Sequence, residues 1–149
     1  MEYTISDIYK NYDDETIDKS LFREICSQFN MGIIDYLLNG KEFNMKNNLS
    51  SLSILRKERD PRSPKIDWGE SMKYKKELEN EGKNLENIKW HIYYTDEYYC
   101  KYYWKKGKCR IPNKSAYKFT PTRGLKGNKE KLIHLLKNDD LAYLKFKKN

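Results

Sequence analysis

The chain has 149 residues, the length of one ordinary domain, with 38% hydrophobic, 35% charged and 14% aromatic residues. No apolar run approaches the ~20 residues a membrane span needs, and the opening Met-Glu-Tyr-Thr-Ile lacks basic and apolar leader regions, so neither a membrane anchor nor a secretory leader is expected. The formal charge of +8 is uneven: residues 1–40 hold eight acids and three bases, whereas residues 41–149 hold fourteen acids and twenty-seven bases. A basic working surface beside an acidic end suits nucleic acid or an acidic protein neighbour, although a Lys-rich solvated surface accounts for the same numbers.

In chain order, Ser6–Tyr12 reads as a short helix capped by Ser6. Asp18 caps a longer helix in which Phe22, Ile25, Cys26, Phe29, Ile33 and Leu37 recur at three- and four-residue steps and form one apolar stripe. Asn39-Gly40 ends it, with Gly40 suited to a left-handed C′ position. The period then changes to two. Phe43 and Met45, a Lys46-Asn47-Asn48 turn, then Leu52 and Ile54 predict a hairpin. Arg56–Lys65 carries five bases with Pro61 and Pro64 and is expected to leave the sheet as an arm.

Residues 70–83 read as a charged helix ending at Gly82. From Trp90 to Trp104 eight of fifteen residues are aromatic. Their spacing predicts paired strands about a Thr95-Asp96-Glu97 turn, with a further turn at Lys105–Lys108. Ala116–Thr120 is expected as a strand stopped by Pro121, and a last helix from Asn128 to Lys137 buries Leu132, Leu135 and Leu136. This order predicts an α+β fold in a single domain of residues 1–149.

Catalytic signatures are missing. The two histidines, His91 and His134, have no evident partners in sequence, and no nucleophile-elbow, zinc-protease, phosphate-loop or dinucleotide motif occurs. Cys26, Cys100 and Cys109 are odd in number and lack metal-ligand spacing, so neither disulfide nor zinc is expected, and a reducing cytosolic setting fits them. No catalytic residue, metal or cofactor is assigned. Gly124-Leu-Lys-Gly127 matches the G-x-x-G clamp of one RNA-binding class, but a turn before the last helix explains it more simply. Lys101–Lys131 holds eleven bases and one acid, interleaved with Tyr102, Tyr103, Trp104, Tyr117 and Phe119. Bases beside flat rings suit phosphate contacts supported by stacking; strand alternation would instead place some of these rings in the core.

Gly40–Pro64 resembles the histone-like HU and integration-host-factor family. The matching elements are the helix ending in Asn39-Gly40, Phe43-x-Met45, the turn into Leu49-Ser-Ser-Leu52, and Arg59-Asp-Pro-Arg62-Ser63-Pro64 as the basic arm. Tyr117-x-Phe119-x-Pro121 with Leu125-Lys126 is similar to the family's return strand. The likeness covers residues 18–64 and 115–126; Ser50 and Ser51 replace a glycine-rich turn, and residues 65–114 form an insertion the family lacks. It implies HU-like helices plus an antiparallel sheet, with a large aromatic-rich insertion in the arm region and a C-terminal helix and tail over 127–149. It also implies DNA contact through Arg56, Lys57, Arg59, Arg62, Pro64 and Lys65, with Pro64 at the family's minor-groove wedge.

A second resemblance rests on Asp67-Trp68-Gly69-Glu70-Ser71, the Tyr- and Trp-rich run, and Phe119-Thr-Pro-Thr-Arg-Gly124. These are similar to integration-host-factor-like virion proteins of crAss-like bacteriophages, some of which form rings in the connector and tail barrel below the portal. This resemblance implies a virion ring subunit made in the bacterial host cytoplasm. It implies a homo-oligomeric ring, a dodecamer, stacked on other connector rings, with non-specific DNA contact and no membrane. The aromatic run would then be partly an intersubunit surface, carried by Trp90, Tyr94, Tyr98, Tyr102 and Trp104. An architectural DNA-binding protein is the alternative.

Overall fold

The computed structural model describes residues 5–12, 16–124 and 127–148. The chain has mixed α+β structure with helices α1 (Ile5–Tyr9), α2 (Lys19–Leu38), α3 (Trp68–Asn80) and α4 (Asn128–Asn138). Strands β1 (Phe43–Asn44), β2 (Ser51–Glu58), β3 (Tyr98–Trp104) and β4 (Lys147–Lys148) form one open mixed sheet in which β2 pairs with each of the others. The chain separates into two compact units, Met1–Leu55 with Cys100–Asn149, and Arg56–Tyr99. The second starts and ends earlier than the 65–114 insertion marked from sequence.

In the first unit, α2 starts where the Asp18 carboxylate accepts the Ser20 and Leu21 N–H groups at 2.7 and 2.9 Å. It stops by a Schellman pair: the Gly40 N–H reaches the Leu37 carbonyl and the Lys41 N–H reaches that of Tyr36. Gly40 has φ +78°. The hairpin follows, with Phe43 opposite Leu52 and Asn44 opposite Ser51. Asn47 and Asn48 both take positive φ in its turn, which Asn tolerates better than most residues.

Ile34, Leu37, Leu52, Ile54, Tyr102, Leu132 and Phe146 make the core. The two-residue alternation along β2 sends Leu52 and Ile54 into it. Leu135 and Leu136 of α4 pack on its margin. The C-terminal tail turns back through a 3₁₀ turn, Ala142–Lys145, so that Phe146 is buried and β4 joins the sheet.

In the second unit, Asp67 caps α3 through the Gly69 and Glu70 N–H groups. The helix ends in another Schellman pair, at Gly82 and Lys83. Ser71, fully buried, accepts the Ile92 N–H at 2.8 Å and donates to the Ile92 carbonyl at 3.3 Å. This pair fixes the 90–94 segment against α3.

Several expectations are corrected. Ser6 lies inside α1 rather than capping it, and its hydroxyl accepts from Arg23 at 2.7 Å. Of the α2 stripe only Leu37 is buried, beside Ile34, which the stripe did not include; Ile25 and Phe29 stand 49% and 62% exposed. Residues 90–94 do not pair with 98–104, because β3 takes β2 as its neighbour and leaves 90–94 a single bridge, Tyr93 to Ile66. Arg56 and Lys57 stay in β2, so the arm begins only after Glu58. Ala116–Thr120 is not a strand: the chain makes a 3₁₀ turn at Lys114–Ala116 and continues irregularly. The sheet is mixed, not purely antiparallel.

Candidate functional site

A groove of about 330 Å³ lies in the first unit between β3 and the irregular 115–119 segment. β3 supplies one wall through Tyr102, Tyr103 and Trp104; Ser115, Tyr117, Lys118 and Phe119 line the other. Both walls are held. Trp104 donates its indole N–H to the Leu49 carbonyl at 2.7 Å, and the Phe119 ring lies 6.3 Å from that of Tyr102. Lys106 donates to the Ser115 and Tyr117 carbonyls, stapling the outer wall, and its ammonium lies 5.8 Å from the Trp104 ring centre. Tyr117 remains 55% exposed and Lys118 is exposed.

Tyr102 belongs to the core beneath this groove. It is 9% exposed and donates its hydroxyl to the Asn128 carbonyl at 3.0 Å, and burial, aided by the Asp35 charge, pushes its phenol up to about 12. It therefore stays protonated and offers little surface to a neighbour, contrary to its place in the expected intersubunit set. Trp104 is half-buried and anchored. Gly124 takes φ +97° and its carbonyl accepts the Gly127 N–H at 2.7 Å, the geometry of a turn leading into α4. Leu125 and Lys126, within the G-x-x-G and return-strand matches, lie outside the described residues.

Within the second unit the structure brings together two sets of residues that the sequence placed in different roles. The Arg59 guanidinium lies 4.1 Å from the Tyr94 ring centre and 5.2 Å from that of Tyr99; Arg56 lies 5.0 Å from Tyr98. Planar guanidinium on a ring face is a favourable stack. Arg62, Pro64 and Lys65 occupy the exposed loop before α3, where Lys65 reaches the Ser63 hydroxyl at 3.3 Å. Lys57 is half-buried in β2. Trp90 stacks on His91 at 4.0 Å and lies 6.4 Å from Trp68, with Lys75 5.2 Å from its ring. Tyr99 was not singled out from sequence; its alternation with Tyr98 along a strand is the signal that one of the pair faces each side.

A polar cluster closes the other face of the hairpin. Glu42 accepts from Lys105 through both carboxylate oxygens at 2.7 Å and from the Ser51 hydroxyl, with Lys147 at 3.9 Å. The Lys105 hydrogen bonds first, then Ser51, hold the Glu42 carboxyl below its ordinary value of 4.5. Its contribution is therefore full above that value and is lost as pH falls through the lowered one. Glu42→Gln should cost about 1 kcal/mol at neutral pH, since the pair is partly solvent-screened. The gap between the two proteins should narrow as pH falls below 4.5, which urea unfolding at neutral and at acid pH would read. A gap independent of pH would mean that shape, not charge, is what Glu42 supplies.

Among the described residues no cluster of His, Cys, Asp and Glu could hold a metal ion, and no helix is long and apolar enough to cross a membrane. Among the described residues Cys26, Cys100 and Cys109 form no disulfide, and the buried Cys109 donates to the Leu49 carbonyl at 3.0 Å. No family model, curated protein or solved structure matches this chain.

Proposed function

We propose that the chain is a structural virion protein, a ring subunit of a phage head–tail connector or tail barrel through which DNA passes. The observation that carries this reading is the uncovered apolar stripe on α2. Leu21, Ile25 and Phe29, spaced four apart on one helix face, are 45%, 49% and 62% exposed. A contiguous apolar face is costly on an isolated protein, and a partner surface normally covers it. A second copy of the chain is the partner favoured here. Head-to-tail contacts close into rings when two different patches on each subunit complement one another, and the chain carries an acidic first forty residues against a basic remainder. The resemblance to integration-host-factor-like connector proteins agrees with such a ring.

Native mass measurement of the full chain, alone and with the other connector proteins, tests the reading. A closed ring of many copies is expected. A monomer in both settings would remove the proposal.

A second reading, an HU-like architectural DNA-binding protein, draws on the exposed Arg62 and Lys65 in the loop after the half-buried Arg56 and Arg59. On that reading the same measurement gives a dimer, with duplex binding that is salt-dependent and indifferent to sequence.

A further inference from the structure

We infer that the groove between β3 and the 115–119 segment binds single-stranded nucleic acid, a base stacking on Tyr117 and Tyr103 while a phosphate meets Lys118. This inference does not depend on whether the chain assembles into a ring.

Three features of the groove point to this ligand. The first is charge: Lys101–Lys131, which supplies every lining residue, holds eleven bases and one acid. That balance favours an anionic ligand, and Lys118 makes no ion pair among the described residues that would compete for it. The second is the rings. Tyr103 and Tyr117 are 36% and 55% exposed on opposite walls, so ring surface is open to solvent on both. Flat, sequence-tolerant faces beside cations are what single-strand binders use, each stacked base contributing enough that its loss weakens binding severalfold. The third is preorganisation. Lys106 pins the backbone carrying Tyr117, Phe119 is held against Tyr102, and Trp104 is fixed through Leu49, so little ordering remains to be done on binding.

Duplex DNA shows its bases only by their edges, and an acidic peptide supplies charge without the flat faces. The volume of about 330 Å³ lies at the lower end of ligand sites, adequate for one nucleotide rather than a helix.

The test uses the full chain with a fluorescein-labelled oligothymidylate, a duplex of equal length and a Glu-rich peptide as competitor. The single strand should bind more tightly than the duplex at equal salt. Tyr117→Ala should weaken it by about fivefold or more, while duplex binding stays unchanged. Lys118→Gln should lower the slope of log affinity against log salt by about 0.7. Both side chains are exposed, so far-UV circular dichroism should not change, and loss of the Tyr117 ring leaves its carbonyl available to Lys106. Equal binding of strand and duplex, an unaltered Tyr117→Ala variant, displacement by the peptide, or no binding at low salt would each overturn the assignment.

Discussion

Gly40→Ala should destabilise the first unit by about 3 kcal/mol, whereas Gly82→Ala should cost the second only about 1 kcal/mol. Both glycines are the C′ residue of a Schellman-ended helix, and both take positive φ, +78° and +70°. A side chain in that conformation is strained at either position, by about 1 kcal/mol. The surroundings differ. Beyond Gly82 there is open space, but a Cβ at Gly40 would run into the Lys145 carbonyl oxygen and lie 3.2 Å from the Lys145 Cβ. Backbone cannot swing aside as a side-chain tip can. Lys145 belongs to the 3₁₀ turn immediately before Phe146, so relieving the clash moves a core residue and the strand that follows it. Overpacking of that kind adds ~1–3 kcal/mol to the conformational cost. Urea unfolding of both variants against the parent measures the difference directly. Equal costs at the two positions would show that the tail does not pack against the end of α2.

The parts of this fold that were legible in sequence are those decided by neighbours in the chain. Asp18 before an apolar-periodic run, Gly40 after it and Lys46-Asn47-Asn48 between alternating segments each carry local chemistry, and the structure has a cap, a C′ glycine and a turn there. What could not be read was decided by partners far along the chain. Tyr98–Trp104 has the composition of a strand, but only the tertiary fold selects β2, not 90–94, as its neighbour. Ala116–Thr120 alternates as a strand should, yet no edge receives it; Lys106 instead captures its carbonyls. Phe146 falls in the segment expected only as a tail after the last helix, and it is 2% exposed.

The candidate site was legible as composition but not as shape. Bases interleaved with Tyr103, Trp104, Tyr117 and Phe119 marked the region, but the groove lies between β3 and a segment that was expected as a strand and is irregular. The arm arginines and the insertion tyrosines were assigned separately, and nothing local indicates that Arg59 lies near both Tyr94 and Tyr99.

Assembly should be abolished by Ile25→Gln combined with Phe29→Gln. The aromatic run is a poor place to test assembly, because substituting Tyr102 or Trp104 removes core packing or the bond to Leu49 and confounds unfolding with dissociation. The α2 pair avoids this. Ile25 and Phe29 are 49% and 62% exposed, so water already meets about half of their surface or more, and exposed substitutions typically change stability little. Glutamine keeps the helix, being nearly as good a helix former as leucine. The contact of Phe29 with the Phe43 ring, 6.4 Å between centres, is the main internal interaction given up.

At a desolvated seam between copies, by contrast, loss of a central aromatic or large aliphatic side chain costs ~2 kcal/mol or more. In a ring every subunit carries the change and every seam is weakened alike, so the effect is multiplied around the assembly. The expected result is a monomeric species with the parent's far-UV spectrum and an unfolding midpoint close to the parent's. A ring that survives both substitutions would place the seam elsewhere on the chain. A variant that unfolds would mean that the stripe on α2 packs internally in solution, and the ring proposal would lose the observation that carries it.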